Sequence, residues 1–377
     1  MFISLKALFT PLFLCLLVCV ALNVLLRFPA VRFGLVDVPG GRKQHTGHIP
    51  LIGGVSIVLA FAFGILLLDM PYSRYAPLFA GMLLLLACGM IDDMRDMRST
   101  TKLLIQTLTA LLMMIWGGLV VDDLGAIPGL SEGLGIWGYV FTLVTVVGLI
   151  NAINMMDGVD GLAGGVVLGS MFWLGVLAAL SGQLITTLLV LTLAVSILGF
   201  MFFNIRHPWR RRASVFLGDA GSLVLGFALA WFAVEISQGR EGAISPFAVA
   251  WLLALPVVDT ISLMFRRLCG GCSPFKADRE HLHHLLQRVG FMPGSVSFML
   301  VGANFFIGGI GVAGAWLGLP DLMLCLGLLV LVVGHTWFVT HGWKRLKVLH
   351  LLHERRRQHA VPGGGARSRT LISGRFR

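Results

Sequence analysis

Long apolar runs recur along this chain from near its first residue to about residue 341, and they restrict its fold more than any other feature. A helix needs roughly 20 apolar residues to cross the hydrocarbon core of a bilayer. Only 12% of the residues are charged and 57% are hydrophobic, whereas a typical soluble domain is about 25% charged. The sequence therefore predicts an all-α, polytopic membrane protein of eleven transmembrane helices, at residues 5–26, 51–68, 77–91, 101–121, 136–153, 162–181, 185–203, 218–237, 245–264, 296–317 and 321–341.

The basic residues divide unevenly between the two sides of such a bundle. Of the 29 Lys and Arg residues, 26 fall on one side, and Lys6, Arg74 and Arg240 fall on the other. Because cytoplasmic loops of membrane proteins are enriched in Lys and Arg, the N-terminus is predicted outside and the C-terminus in the cytoplasm. Residues 1–341 would form the integral-membrane domain and 342–377 a basic cytoplasmic tail. This asymmetry accounts for the net charge of +11, and no motif indicates a nucleic-acid partner.

A polar, glycine-rich motif lies between the fifth and sixth predicted spans. It reads Asn151-Ala-Ile-Asn154-Met-Met-Asp157-Gly-Val-Asp160-Gly and continues Leu-Ala-Gly-Gly. Asp157 and Asp160 are three residues apart, so a helical turn would place both carboxylates on one side. Polar side chains at a membrane span are costly unless they are used, and glycines let the backbone approach a bulky ligand. An ordinary polar loop is the alternative interpretation.

Further polar clusters fall on the same predicted side of the membrane. They lie at residues 34–50, 92–96, 204–207, 216–222 and 277–284, each at the inner end of a predicted span or in an inner loop. The connections predicted on the outer side are short and contain no comparable cluster. This distribution predicts an active site that faces the cytoplasm.

The clusters are rich in carboxylates and also contain cations. Hard oxygen ligands suit Mg²⁺ or Mn²⁺, and a metal ion with carboxylates and cations is typical of phosphoryl transfer, which depends mainly on positioning and charge stabilisation. Asp92 and Asp93 are adjacent and point about 100° apart on a helix, so one of them can serve as a base; a solvated helix end is the alternative. The carboxylates are Asp92, Asp93, Asp96, Asp157, Asp160 and Asp219, and the cations include Arg42, Lys43, Arg206 and Arg279.

Three histidines occur in the last inner loop. The pattern His281-Leu-His283-His284 reads as the start of a helix, with Asp278 as a possible N-cap and Gly290 as a stop signal. His281 and His284 would then share a face and could bind a diphosphate or a lipid phosphate. A metal site of three histidines is the competing interpretation.

Asp259 is an acidic residue near the inner end of the ninth predicted span. Acidic residues inside membrane segments are functional candidates. A structural ion pair with Arg206, Arg266 or Arg267 is an equally good interpretation.

Four motifs in order resemble the polyprenyl-phosphate N-acetylhexosamine-1-phosphate transferases. They are Asp92-Asp93-Met-Arg-Asp96, Asn151-x-x-Asn154-x-x-Asp157-Gly-x-Asp160-Gly-Leu, Phe216-Leu-Gly-Asp219-x-Gly-Ser222 and Asp278-Arg-x-His281-x-His283-His284. With the intervening spans they cover about residues 1–341. The histidine loop is similar to that of the WecA and TagO branch, the undecaprenyl-phosphate GlcNAc-1-phosphate transferases.

The resemblance implies a fold, a reaction and partners. The fold would be an eleven-helix enzyme of the bacterial inner membrane that uses Mg²⁺, for which Mn²⁺ can substitute. It would transfer N-acetylhexosamine-1-phosphate, by default GlcNAc-1-phosphate, from a UDP-sugar to undecaprenyl phosphate, release UMP and so initiate a cell-envelope glycan such as O-antigen. GalNAc, QuiNAc or FucNAc are alternative sugars, and a homodimer is one option for its assembly.

The resemblance also implies roles for individual residues. Asp219 would be the principal Mg²⁺ ligand, Asp92 the base toward the lipid phosphate, and Asp93 would lie beside it at the metal or the acceptor. Asp157 and Asp160 would act with them near the nucleoside. The remaining expected contacts are Lys43 with the phosphates, Asn154, Asn204 and Phe216 around the nucleoside, Arg279 with substrate, and His281, His283 and His284 with the diphosphate or sugar.

Two rival functions come from other classes. A transporter also carries polar residues in its spans, but it places them near the middle of the membrane between broken helices, whereas here they lie at the inner ends. A non-catalytic scaffold for glycan assembly would gain little from Asp92, Asp93 and Asp219.

Overall fold

Helices form nearly all of the regular structure in the computed structural model. It describes residues 5–37, 47–68, 70–129, 133–207, 210, 212–239, 244–271, 281–348 and 351, with side chains from residue 9 onward. The helices are α1 (Leu5–Leu25), α2 (Arg27–Phe33), α3 (Gly53–Leu66), α4 (Tyr72–Arg95), α5 (Ser99–Ile115), α6 (Ile136–Met156), α7 (Leu162–Leu180), α8 (Leu184–Asn204), α9 (Gly218–Gln238), α10 (Pro246–Leu252), α11 (Ala254–Cys269), α12 (Leu282–Val289), α13 (Pro293–Trp316) and α14 (Asp321–Trp337).

Each of the eleven predicted apolar runs coincides with a helix or a bent helix pair. Among the described residues, seven helices are long and apolar enough to cross a membrane, or up to nine if each bent pair is one span. The bent pairs are α1 with α2, at 42°, and α10 with α11, at 81°. The helices α3 and α5 are apolar but shorter than 18 residues. The all-α, polytopic class is confirmed, while the count of eleven spans stays a prediction.

The last spanning helix continues beyond α14. A single π-helical turn, Phe338–Gly342, follows it, and helical structure extends to Val348. The start of the predicted basic tail therefore continues this helix. Most of residues 342–377 lie outside the described part of the chain.

Helix α9 is the centre of the bundle. Its most apolar 18 residues are completely buried, and α4, α6, α7 and α3 pack around it. Two pairs of small residues bring helix backbones together: Gly89 of α4 faces Ala220, and Gly54 of α3 faces Gly221. In membranes, small residues at helix contacts allow such close approach. The first turn of α9, with Asp219, is thereby held between α3 and α4.

Gly89 should be intolerant of any side chain. A Cβ at this position would overlap the backbone of Ala220 and the carbonyl carbon of Asp219, and overpacking of this kind costs about 1–3 kcal/mol. We expect Gly89→Ala to lower the thermal unfolding temperature in detergent and to reduce activity by displacing Asp219. Gly148→Ala is the matched control, because a Cβ on Gly148 of α6 would meet no atom within 4 Å. Equal unfolding temperatures for the two variants would contradict this packing.

A short hairpin between α2 and α3 is hydrogen-bonded to the loop that precedes α9. Strand β1 (Val36–Asp37) pairs antiparallel with β2 (Ile49–Pro50). Phe216 donates its backbone N–H to the Pro50 carbonyl at 2.9 Å, and Gly53 donates to the Phe216 carbonyl at 3.0 Å. The second strand of the hairpin is therefore held against the loop that leads into α9, while residues 38–46, between the two strands in sequence, lie outside the described part of the chain. Lys43 belongs to that segment and lies outside the described residues.

Candidate active site

Asp93 caps helix α9 from a neighbouring helix. Its Oδ1 accepts the backbone N–H of Asp219 at 2.9 Å, and its Oδ2 accepts that of Ala220 at 3.2 Å. Gly218, with φ +72°, lets the chain turn into α9 against this carboxylate. A carboxylate that satisfies the free N–H groups of a first turn stabilises the helix and fixes its start. The predicted catalytic and metal-ligating roles of Asp93 stay predictions, and they compete with this cap.

Lys102 joins two of the predicted site carboxylates. Its Nζ lies 2.5 Å from Oδ2 of Asp92 and 3.4 Å from Oδ2 of Asp219. The Asp92 side chain is only 4% exposed, whereas Asp219 is 33% exposed, so Asp219 presents the more open carboxylate. The other oxygen of Asp92 accepts the backbone N–H of Met97 at 2.7 Å. This network places one ammonium between two carboxylates from different helices.

Lys102 was not among the predicted site residues. In the sequence it was considered only as one of the Lys and Arg residues on the cytoplasmic side. A signal was present. Lys102 lies in the first turn of the otherwise apolar helix α5, shortly after the Asp92-Asp93 pair. An isolated ammonium next to a membrane span is costly without a partner, and that cost could have indicated its carboxylate neighbours.

Asn154 connects the glycine-rich motif to Asp219. Its Nδ2 donates to Oδ1 of Asp219 and to Oγ of Ser222, both at 2.9 Å. One turn earlier on α6, Asn151 donates to Oε1 of Gln106 at 2.7 Å. The motif is therefore part of the same cluster as Asp92 and Asp219, and the alternative of an ordinary polar loop is not what the structure shows.

Asp157 and Asp160 do not share the face of a helical turn. Helix α6 ends at Met156, and residues 157–161 form a tight turn before α7, so helical spacing does not apply. Burial raises the pKa of Asp157 well above its usual range, and the carboxylates of Asp219, Asp93 and Asp160 raise it further. Asp157 therefore belongs to the crowded carboxylate cluster, where a cation would be strongly favoured.

Asp160 is held instead by the loop that follows α8. Its Oδ2 accepts from Nε of Arg206 at 2.7 Å and from the backbone N–H of Ala213 at 3.2 Å. Its carbonyl accepts from Oγ of Ser297, on α13, at 2.7 Å. These contacts hold the turn against the loop after α8 and against α13. Asp160 therefore has a structural role, which does not prevent a ligand from binding nearby.

Asn204 also stabilises this turn. Its Oδ1 accepts the backbone N–H of Gly161 at 2.7 Å, and its Nδ2 donates to the Val215 carbonyl at 2.9 Å. Asn204 is 4% exposed, so it supports the loops from inside. Phe216 is half-buried at the end of the same loop. Their predicted place at a nucleoside pocket stays a prediction.

The histidines form a stack at the start of α12. The helix ends at Gly290, with φ +119°, as its sequence predicts, but His281 precedes it with extended backbone. The rings that stack are therefore those of His281 and His283, with centroids 5.8 Å apart and planes within 6°, and not His281 with His284. Asp278, the predicted cap, and Arg279 lie outside the described residues.

His283 is the innermost of the three rings. Burial, helped by neighbouring His284, lowers its pKa to about 3, so His283 is neutral and cannot supply positive charge to a phosphate at ordinary pH. Its ring lies against Gly158, where a Cβ would come within 2.7 Å of Nε2. The histidine stack is thereby in contact with the turn that carries Asp157 and Asp160.

The residues present fit a hard divalent cation. Within the described ranges, no three His, Cys, Asp or Glu side chains already stand in metal-binding geometry. The carboxylate oxygens of Asp219 and Asp157 nevertheless have the donor chemistry that Mg²⁺ prefers, whereas both oxygens of Asp92 are bonded to Lys102 and Met97. Asp219, at 33% exposed, could reach a cation more readily than Asp92, at 4%. A site of three histidines is disfavoured because His281 contacts Asp259 and His283 is buried.

Comparison with known proteins shows the family of this chain. The model of the family described as "Glycosyl transferase family 4" matches residues 75–237, from within α4 to near the end of α9. An undecaprenyl-phosphate alpha-N-acetylglucosaminyl 1-phosphate transferase of Escherichia coli is 34% identical, and the alignment covers 88% of this chain and 90% of that protein. The chain belongs to glycosyl transferase family 4.

Other members with the same name show similar likeness. The protein from Yersinia pestis is 35% identical over 84% of this chain and 89% of its own length. That from Haemophilus influenzae is 34% identical over 85% of this chain and 91% of its own length. This chain is therefore a membrane member of a family of enzymes that transfer a sugar phosphate. The part of the chain that matches the family contains Asp92, Lys102, Asn154 and Asp219.

Proposed function

We propose that this protein transfers GlcNAc-1-phosphate from UDP-GlcNAc to undecaprenyl phosphate and releases UMP. The likeness to the three relatives over most of the chain supports this reaction. The observation that carries the proposal is the contact of Lys102 with both Asp92 and Asp219. It assembles opposite charges from three helices at one end of the bundle, as a reaction between two phosphates requires.

The proposed reaction is a single displacement. An oxygen of the lipid phosphate forms a bond to the sugar-bearing phosphorus of UDP-GlcNAc, the bond from that phosphorus to the UMP oxygen breaks, and UMP leaves. Two anionic phosphates must approach each other, so neutralisation and alignment dominate the barrier. Lys102 would hold phosphate oxygens, Asn154 would orient the Asp219 carboxylate, and Asp93 would fix the helix that carries it.

Mg²⁺, or Mn²⁺ in its place, would be held by Asp219 with help from Asp157. When bound, it supplies positive charge against the phosphate oxygens. The turn from Asp157 to Gly161 would lie beside the nucleoside. The stacked histidines would border the diphosphate, with half-buried His284 as the exposed member, buried His281 at the other end of the stack and neutral His283 packed between them.

The membrane arrangement is part of the proposal. We place the chain in a bacterial inner membrane with eleven spans, counting both bent pairs and the short helices α3 and α5. The N-terminus would lie outside and the site would face the cytoplasm, where 26 of the 29 Lys and Arg residues fall. Cytoplasmic UDP-sugar would then meet the phosphate of a membrane lipid at the headgroup level.

Release of UMP tests the proposed function directly. Purified protein in detergent would receive UDP-GlcNAc, undecaprenyl phosphate and Mg²⁺, and UMP and lipid-linked sugar would be measured. We expect equal amounts of both products and no reaction without the lipid. UDP-GalNAc, UDP-QuiNAc and UDP-FucNAc in competition identify the preferred sugar. Uptake of labelled solute without UMP release would show a transporter instead.

The pH dependence of Asp92→Asn tests the predicted role of Asp92 as a base. A base is needed while the acceptor phosphate is monoanionic, and phosphate monoesters lose their second proton near pH 6. We expect the variant to be most impaired below that pH and to recover partly as the pH rises to about 9. The measurement is a pH–rate profile of UMP release at saturating Mg²⁺.

The same profile separates this role from a second one. Asp92 also holds Lys102 at 2.5 Å, and loss of that contact would impair the enzyme at every pH. Activity that stays equally low from about pH 6 to 9 would contradict the base and assign Asp92 to positioning the ammonium.

A further inference from the structure

Asp259 lies behind the histidine stack and is not exposed to the site. It is 4% exposed on α11, the second helix of the pair bent by 81°. Its Oδ2 lies 3.0 Å from Nδ1 of His281, and its Oδ1 accepts the backbone N–H of Leu282 at 3.1 Å. One carboxylate therefore holds both the first ring of the stack and the first residue of α12.

A second histidine contacts the same carboxylate from the last spanning helix. Nε2 of His335, on α14, lies 3.7 Å from Oδ1 of Asp259. The other nitrogen of His335 is 2.9 Å from Oγ of Ser262, one turn after Asp259 on α11. The neighbours of the Asp259 carboxylate are therefore two histidines that the sequence did not predict, and Arg206, one of its three predicted ion-pair partners, pairs with Asp160.

The contact with Asp259 determines which nitrogen of His281 carries a proton. An ionised carboxylate only accepts hydrogen bonds, so Nδ1 of His281 is protonated whether the ring is neutral or charged. The carboxylate also fixes the rotation of the ring. Because His283 stacks on His281 and lies against Gly158, the orientation set by Asp259 passes to the turn that carries Asp157 and Asp160.

We propose that Asp259 is a positioning residue for the transfer reaction, which holds His281 in one tautomer and one orientation toward the diphosphate. This inference rests on the proposed function, since it assumes that His281 meets the substrate. Asp259 itself touches no substrate. It acts through His281.

Asp259→Asn separates this role from support of the helix. The amide oxygen can still accept the N–H of Leu282, whereas the amide nitrogen now donates toward His281 and forces the ring proton from Nδ1 to Nε2. Loss of the partner that orients a metal-binding histidine costs about 10- to 100-fold, and we expect a loss of the same order in kcat for UMP release. Asp259→Glu, which keeps the carboxylate, should recover part of the activity.

A double variant tests whether Asp259 acts through His281. If it does, Asp259→Asn combined with His281→Gln will be no less active than His281→Gln alone, because groups that act as a unit are not additive. Glu235→Gln is the matched control. Glu235 is also a buried carboxylate, bonded to Tyr75 at 3.0 Å and Trp231 at 3.2 Å near the opposite end of α9, and its variant should keep wild-type kcat.

The outcomes are distinct. Wild-type kcat in Asp259→Asn, or losses that multiply in the double variant, would overturn the positioning role. An unfolding temperature measured for each variant shows whether a loss of kcat occurs in folded protein, and Asp259→Glu supplies a second readout if Asp259→Asn is unstable. A wild-type protein that releases no UMP from any UDP-sugar would overturn the proposed function, and this inference with it.

Discussion

Asp219→Asn should lose about 1000-fold or more in UMP release at every pH, because removal of a group that stabilises transition-state charge is costly whatever the protonation of the acceptor. The substituted amide can still accept the hydrogen bond that Asn154 donates to Oδ1, although its NH2 group then replaces the oxygen that lies 3.4 Å from Lys102. What disappears is the negative charge that would hold a divalent cation. The measurement is kcat from pH 6 to 9 over a series of Mg²⁺ concentrations.

Asp321→Asn is the matched control for Asp219→Asn. Asp321 also lies in the first turn of a spanning helix, α14, and its Oδ2 accepts the backbone N–H of Ala126 at 2.8 Å. It is remote from the carboxylate cluster, so its variant should keep wild-type activity. Substantial turnover by folded Asp219→Asn at any pH, or full wild-type activity in EDTA, would refute the assignment of Asp219 to a metal.

Lys102→Met should reduce kcat by about 100- to 1000-fold, the range seen when one preorganised charge-stabilising donor is removed. Methionine keeps an apolar stem of similar length, while the ammonium between Asp92 and Asp219 is lost. Two carboxylates would then repel the incoming diphosphate without an intervening cation. UMP release and binding of UDP-GlcNAc should both weaken, and both are measured at saturating lipid phosphate.

Two further variants define what Lys102 contributes. Lys102→Arg keeps the charge but replaces a compact ammonium by a planar fork, so we expect only partial activity. Arg98→Met removes a cation from an exposed position just before the same helix and should leave kcat unchanged. If Lys102→Met matched Arg98→Met, the contact of Lys102 with the two carboxylates would have no part in the reaction.

The sequence by itself predicted the class of fold and several members of the candidate site, although not Lys102. Apolar runs of about 20 residues are long enough to cross a bilayer, and inside it the backbone must form its own hydrogen bonds, as a helix does. The helical membrane architecture therefore follows from composition and spacing alone. The same constraint made the polar motifs conspicuous, because charged groups at membrane spans are retained only where they have partners or functions. Asp92, Asn154, Asp157 and Asp219 could be selected on that ground, and the structure brings them into one cluster.

Only the tertiary structure decided which atoms face each other. Adjacency in sequence could not show that Asp93 accepts hydrogen bonds from the first turn of α9 while Asp92 forms an ion pair with Lys102. That difference depends on the close approach of α4 and α9 at Gly89 and Ala220. Helical spacing paired the wrong histidines because His281 lies before α12, in extended backbone. The partner of Asp259 is 22 residues away along the chain, and only the tertiary structure brings the carboxylate on α11 to the histidine that precedes α12.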